Sequence, residues 1–340
     1  MIVAIVTIFP KEGSVTLSDG RSPGDGMEAE AKWPRFPRGR GSGSIQTRRR
    51  KAVATIGIVV MSQVGCVSSG NITGQMTPSC WRGNPWGPEA EAARRCGQLP
   101  TIPESPPMNA WSGWARANLR DGDLVFRMGD ARLASGLYPF SRITAEMAGS
   151  RYSHSGIIAW EGGEPVVYDT YRTGPRKQPF AIWVLDATGG IAFKRPKPEY
   201  QHHVAQALAF CREVYQKQVP FDRALALGND RLYCIEMTAQ AYESAGLTLA
   251  HPIRIDHLPR YRDFPKAVAA ARCFSSLRPD QLAFVIGNET VGLWSSPALE
   301  LVYEAPDARL PYTPTAESGR ASMVPAATNA APIASEQRPH

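Results

Sequence analysis

The sequence predicts an α+β fold in which a central antiparallel sheet packs against helices. Three observations carry this. Residues 154–160 (HSGIIAW) and 164–171 (EPVVYDTY) are strand-like runs on either side of Glu-Gly-Gly, the composition of a hairpin. Residues 202–218 place Val204, Leu208, Cys211 and Tyr215 on one stripe at helical spacing. Further apolar runs, 281–287 and 298–305, read as late strands.

In chain order, a short helix is expected within 109–119 (NAWSGWARANL), then a turn at Asp121-Gly122 and a strand through Leu124, Val125 and Phe126. Residues 130–149 read as a helix carrying Leu133, Leu137 and Ile143, stopped by Gly149. After the hairpin, FAIWVLD (180–186) and GIAFKR (190–195) are expected to continue the sheet. The helix at 202–218 ends before Pro220, and a second helix runs from Cys234 to about Ala245, with Gly246 just past its end. No internal repeat is present.

The ends differ from this middle. Residues 1–65 form a leader segment with ten Lys/Arg and five Asp/Glu, whereas the remaining chain carries 28 and 26. The net charge of +7 is therefore mostly a property of the leader, and a nucleic-acid partner is not indicated. Within the leader, Arg48–Lys51 precede an apolar run, 52–65, that ends in Val64-Gly65-Cys66. This is the layout of a secretory signal, too short to span a bilayer. Cys66 sits where a bacterial lipoprotein is lipidated, although Gln63 stands where a large apolar residue is usual. The expected location is the periplasmic side of a bacterial cell envelope, with the membrane reached through this N-terminal anchor. Residues 66–108, rich in proline, read as a tether, 109–305 as the compact domain, and 306–340, rich in Ala, Pro, Ser and Thr, as a disordered tail. In an oxidising compartment Cys80 and Cys96 are candidates for a disulfide. No cysteine or histidine spacing suggests a metal site, and no cofactor is expected.

The chemical signal begins at His154, which opens a strand that otherwise asks for apolar residues. A hairpin turn centred on Gly162-Gly163 sets His154 opposite Tyr171 and makes Asp169 its diagonal neighbour on the same face. Asp169 can then accept from the imidazole and fix its tautomer, or it simply marks a strand end. Cys234 starts a helix, where free N–H groups and the positive end of the dipole lower a thiol pKa and can hold an oxyanion. The plainer reading makes Cys234 a small buried hydrophobe, as Cys211 is read to be, and Cys273 likewise.

The segments GDLVFR, SRYSHSGII, VVYD, VPFD and LYCIEMTAQAYESAG resemble the circularly permuted papain-fold cysteine hydrolases of the NlpC class, in the YiiX-like branch, over about 119–247. The resemblance implies that 109–305 is a catalytic papain-like domain, with Cys234 as nucleophile and His154 as its base. Asp169 falls where that branch often has a glutamate or other polar residue. Tyr233 matches the aromatic before the cysteine and lines the site or serves packing alone, and Ile235 replaces a usual serine while Glu236 is kept. The implied activity is an exported amidase or peptidase cleaving cell-envelope peptides, peptidoglycan-derived or otherwise, through an acyl-enzyme. Two alternatives stay open. One is a lipid acyltransferase or lipid hydrolase on the same residues, for which Phe180 and Trp183 offer apolar surface. The other is a non-catalytic envelope lipoprotein.

Overall fold

The computed structural model describes residues 81–132, 138–269, 277–309 and 311. Cys66, Cys80, Cys273 and the apolar run 52–65 lie outside the described residues. Among the described residues no helix is long and apolar enough to cross a membrane.

Six strands form one antiparallel sheet in the order β4-β3-β2-β1-β5-β8. They are β1 (Leu124–Arg127), β2 (His154–Glu161), β3 (Glu164–Tyr171), β4 (Gly174–Pro179), β5 (Ile191–Pro196) and β8 (Leu299–Ala305). A separate two-stranded ribbon pairs β6 (Ile253–Arg254) with β7 (Leu282–Ala283), which is all the strand that 281–287 forms.

The β2–β3 hairpin turns at Gly162-Gly163, both with positive φ (61° and 83°), the backbone that a tight primed turn requires and that glycine adopts without steric cost. Ile157 pairs with Tyr168, a register that carries His154 to Tyr171 when extended back along the strands.

Alternation along the strands divides the core in two. Leu124, Phe126, Ile157, Ala159 and Tyr168 face α5 (Val204–Lys217) and α6 (Cys234–Ser244). Val125, Ile158, Val167 and Phe193 face α2 (Pro106–Asn118) and α4 (Phe180–Leu185). Trp111, fully buried on α2, meets Phe180, Phe193 and Tyr303 edge-on with centroids 6.2, 6.3 and 5.9 Å away.

Four expectations need correction. Residues 180–186 are helical, not a strand: a short, wholly apolar run has no period to distinguish the two states, and here all of Phe180–Val184 is buried under the sheet. The strand in this region is instead β4, GPRKQP, whose two prolines are tolerated because it is an edge strand. The helix expected over 130–149 is confined to α3 (Phe140–Met147), because Pro139 cannot sit inside a helix and ends up as its N-cap residue. Residues 133–137 lie outside the described set.

Finally, the proline-rich stretch is not a tether from 81 onward. It forms α1 (Pro88–Arg95), buries Trp86, and starts α2 at Pro106, with Ser105 Oγ accepting from Met108 N–H at 3.4 Å. This stretch lies along the outer edge of β4: Lys177 N–H donates to the Trp86 carbonyl at 3.0 Å, and Asn84 Nδ2 donates to the Pro175 carbonyl at 2.6 Å. At the other end Ala308, inside the expected tail, is buried and accepts from Trp111 Nε1 at 2.9 Å.

Candidate active site

His154, Asp169 and Arg176 come from the three adjacent strands β2, β3 and β4, and Trp183 closes over them from α4. His154 Nε2 lies 2.7 Å from Asp169 Oδ2. The same carboxylate accepts from Arg176 Nε at 2.7 Å and Nη2 at 2.5 Å, and from Trp183 Nε1 at 2.7 Å. All four residues are buried, with Asp169 at 1% and Trp183 at 0% exposure.

Burial alone would raise the Asp169 carboxyl, but the Arg176 charge, then His154 and the hydrogen bonds, outweigh it and hold the group well below the usual carboxylate range. Asp169 is therefore an acceptor only, so Nε2 carries the hydrogen and the tautomer is fixed. Burial lowers His154 to about 4; Asp169 opposes this, while Arg127 and Arg176 add to it. The imidazole is thus neutral at pH 7, and among the described residues its Nδ1 has no hydrogen-bond partner. Arg176 Nη2 is 3.3 Å from Nε2, but both atoms bear hydrogens, so that contact is no hydrogen bond.

Arg127, paired with His154 across β1 and β2, extends the cluster: its guanidinium lies 4.5 Å above the Trp183 ring and donates to the Trp183 carbonyl. The Trp183 ring in turn stacks on the imidazole at 5.9 Å.

Cys234 begins α6, where the first hydrogen bond within the helix is Met237 N–H to the Tyr233 carbonyl and no side chain caps the end. The N–H groups at its start are therefore available. The helix terminus meets β2 at Ser155, the residue after His154. Ser155 Oγ lies 3.0 Å from Thr238 Oγ1 and 3.4 Å from the Cys234 carbonyl, and the Ser155 and Ile235 N–H groups point at the sulfur.

The helix terminus was expected to depress the thiol pKa. Instead burial pushes it up to about 11, against the opposing pull of Ser155 N–H. The resting pair is thiol and neutral imidazole, and no hydrogen bond joins the two side chains among the described residues. Cys211 is fully buried on the stripe of α5, the small buried residue expected there, and burial pushes its thiol up to about 12. Cys96 is an exposed free thiol.

Next to Cys234 opens a cavity of about 160 Å³, lined almost wholly by apolar side chains, among them Ile143, Met147, Ile235, Leu258, Val268 and Ile286. Tyr233 is part of its wall, and its hydroxyl donates to the Phe284 carbonyl at 3.2 Å and accepts from the Phe284 N–H at 2.6 Å. Glu236, which is not part of the cavity wall, is buried, and burial raises its carboxyl to about 8.

Phe180 and Trp183, expected as lipid-facing surface, are instead fully buried on the α2–α4 side of the sheet. Arg176 and the roles of Trp183 and Arg127 were not read from sequence. Among the described residues no three His, Cys, Asp or Glu side chains gather as a metal site.

A cysteine at a helix start, meeting a sheet that holds a histidine and a carboxylate, within an α+β fold where the histidine strand precedes the cysteine helix, is the arrangement expected of a permuted papain-like cysteine hydrolase. Residues 118–258 match the model of the family described as permuted papain-like amidase enzyme, YaeF/YiiX, C92 family. The chain is also similar to the crystal structure of metalloprotein YiiX from Escherichia coli O157:H7, with 18% identity and a TM-score of 0.44 over 55% of this chain and 97% of that one. No curated protein matches it.

Proposed function

We propose that the protein is an exported cysteine amidase or peptidase of the cell envelope, working through an acyl-enzyme on Cys234. The observation that carries this reading is the His154–Asp169 hydrogen bond at 2.7 Å, which leaves a neutral imidazole with a free Nδ1 one residue from the strand position that meets Cys234. On substrate binding the thiol turns from the Ser155 N–H to Nδ1, gives up its proton, and attacks the carbonyl; apo hydrogen bonds of this kind commonly tighten only in the complex. The N–H groups at the start of α6 receive the oxyanion. His154 then protonates the leaving group and later activates the water that releases the acyl group. Asp169 orients the ring throughout. Export and a lipid anchor at Cys66 are supported by the leader, and the expected substrates are envelope peptides or other acyl amides.

The test is Cys234→Ala, which should lower kcat/KM by at least about 10³-fold and abolish the covalent adduct seen by mass spectrometry. In the unmodified protein kcat/KM should rise through about pH 4 as His154 loses its proton. Turnover unchanged in Cys234→Ala would sink the assignment.

A further inference from the structure

The two halves of the site leave the sheet on opposite faces. On β1 and β2, Phe126 pairs with Ser155 and Arg127 with His154. Ser155 therefore shares the face of Phe126, which packs against α5 and α6, whereas the His154 ring stacks on Trp183 from α4. Packing on one face does not set the distance to a group on the other. The spacing of Cys234 and His154 depends on what ties α6 to β2 where the two approach.

Ser155 supplies such a tie. Its side chain and that of Thr238 are buried, at 0% and 1% exposure. Thr238, one turn along α6 from Cys234, donates its hydroxyl hydrogen to the Cys234 carbonyl at 3.0 Å. That leaves the Thr238 oxygen as acceptor for the Ser155 hydroxyl, 3.0 Å away. Ser155 Oγ also lies 3.4 Å from the Cys234 carbonyl, and the Ser155 N–H points at the sulfur. One strand residue thus holds the cysteine from both its main chain and its side chain. Apolar contacts between helix and sheet have no direction and tolerate small slides, whereas hydrogen bonds weaken steeply when bent or stretched.

We propose that Ser155, acting through Thr238, is a positioning residue that fixes the start of α6, and with it the Cys234 sulfur, within reach of the His154 imidazole. The proposal rests on the pairing of Cys234 with His154 in the hydrolase reading. Neither hydroxyl is assigned a bond-making step; each acts by holding the sulfur in place. If the hydroxyls served stability alone, variants lacking them would melt earlier yet react at the parent rate once folded.

The test uses the full chain with 4-nitrophenyl acetate and reads the rate constant of the 4-nitrophenol burst, which reports acylation of Cys234. Ser155→Ala should slow the burst about 10- to 100-fold, the cost of roughly 1 Å of misplacement, and leave the half-saturating ester concentration within about twofold. Thr238→Val keeps the shape and removes the hydroxyl; it should slow the burst about tenfold, and Thr238→Ser should restore it to within about threefold of the parent. The two Thr238 variants decide the matter where Ser155→Ala does not fold. Alkylation of Cys234 by iodoacetamide gives a second readout that needs no ester. His154→Ala should change its rate about fivefold or more in the parent, and about twofold or less beside Ser155→Ala or Thr238→Val.

Parent burst rates in all three variants, with lowered melting temperatures, would overturn the proposal and leave the hydrolase reading intact. Equal losses in Thr238→Val and Thr238→Ser would overturn it too, because shape rather than the hydroxyl would then govern the rate. A parent protein that the ester does not acylate counts against the hydrolase reading alone. The alkylation rates then decide the proposal: an effect of His154→Ala that shrinks without the hydroxyls upholds it, and an undiminished one overturns it.

Discussion

Asp169 accepts from His154, twice from Arg176 and from Trp183, so one buried carboxylate organises three strands and a helix. Arg176 is what keeps that carboxylate charged out of water. Arg176→Leu should therefore cost about 3–5 kcal/mol in urea unfolding, because it strands a buried charge. The sign with pH follows. Asp169 has a depressed folded pKa, so its contribution is present above the unfolded value and is lost as pH falls through the folded one. Removing Arg176 raises the folded value and shifts acid unfolding to higher pH, a displacement that denaturation at several pH values would measure; an unmoved acid limb would refute it. His154 and Asp169 were legible because a period of two fixes which residues share a strand face. Arg176 was not: a lone arginine between two prolines carries no strand signal, and Asp169, seven positions back, comes within reach only once β3 and β4 pair.

The β2–β3 hairpin depends on Gly156. A Cβ there would lie 2.5 Å from Val167 Cγ1 and 2.8 Å from the Tyr168 carbonyl oxygen, and the latter is backbone that cannot swing aside. Gly156→Ala should lower stability by about 1–3 kcal/mol and, by spreading β2 from β3, weaken turnover as well. A thermal melt paired with an activity assay checks both, and a melt within a degree of the parent would show that the hairpin accommodates the methyl group. The hairpin, α5, α6 and β8 were readable because their periodicity or turn chemistry is strong and local. The helix α4 was not, since a run of six apolar residues, five of them buried, satisfies either backbone, and tertiary packing between α2 and the sheet decides the outcome. The edge strand β4 was hidden for the opposite reason: its polar, proline-flanked residues earn their place through pairing with β3.

At the scale of the whole molecule, helices cover both faces of one sheet. The histidine–carboxylate cluster sits with the α2–α4 side, whereas Cys234 and its cavity belong to the α5–α6 side, so the reaction is expected where the two meet at the start of β2. The sequence showed the order of these parts but placed the beginning of ordered structure too late, because proline-rich composition reads as linker even where its few aromatic residues are buried. Trp86 is such a residue.

The run of backbone that holds Trp86 against Lys177 has a consequence for solubility. At β4 the sheet ends in an edge strand whose amides and carbonyls would otherwise invite another chain to zip on. Residues 81–87 occupy that seam. A protein trimmed to begin after them should oligomerise edge to edge, visible as growth in light scattering at concentrations where the full chain stays monodisperse; a trimmed chain that stays monodisperse would show that the seam needs no guard.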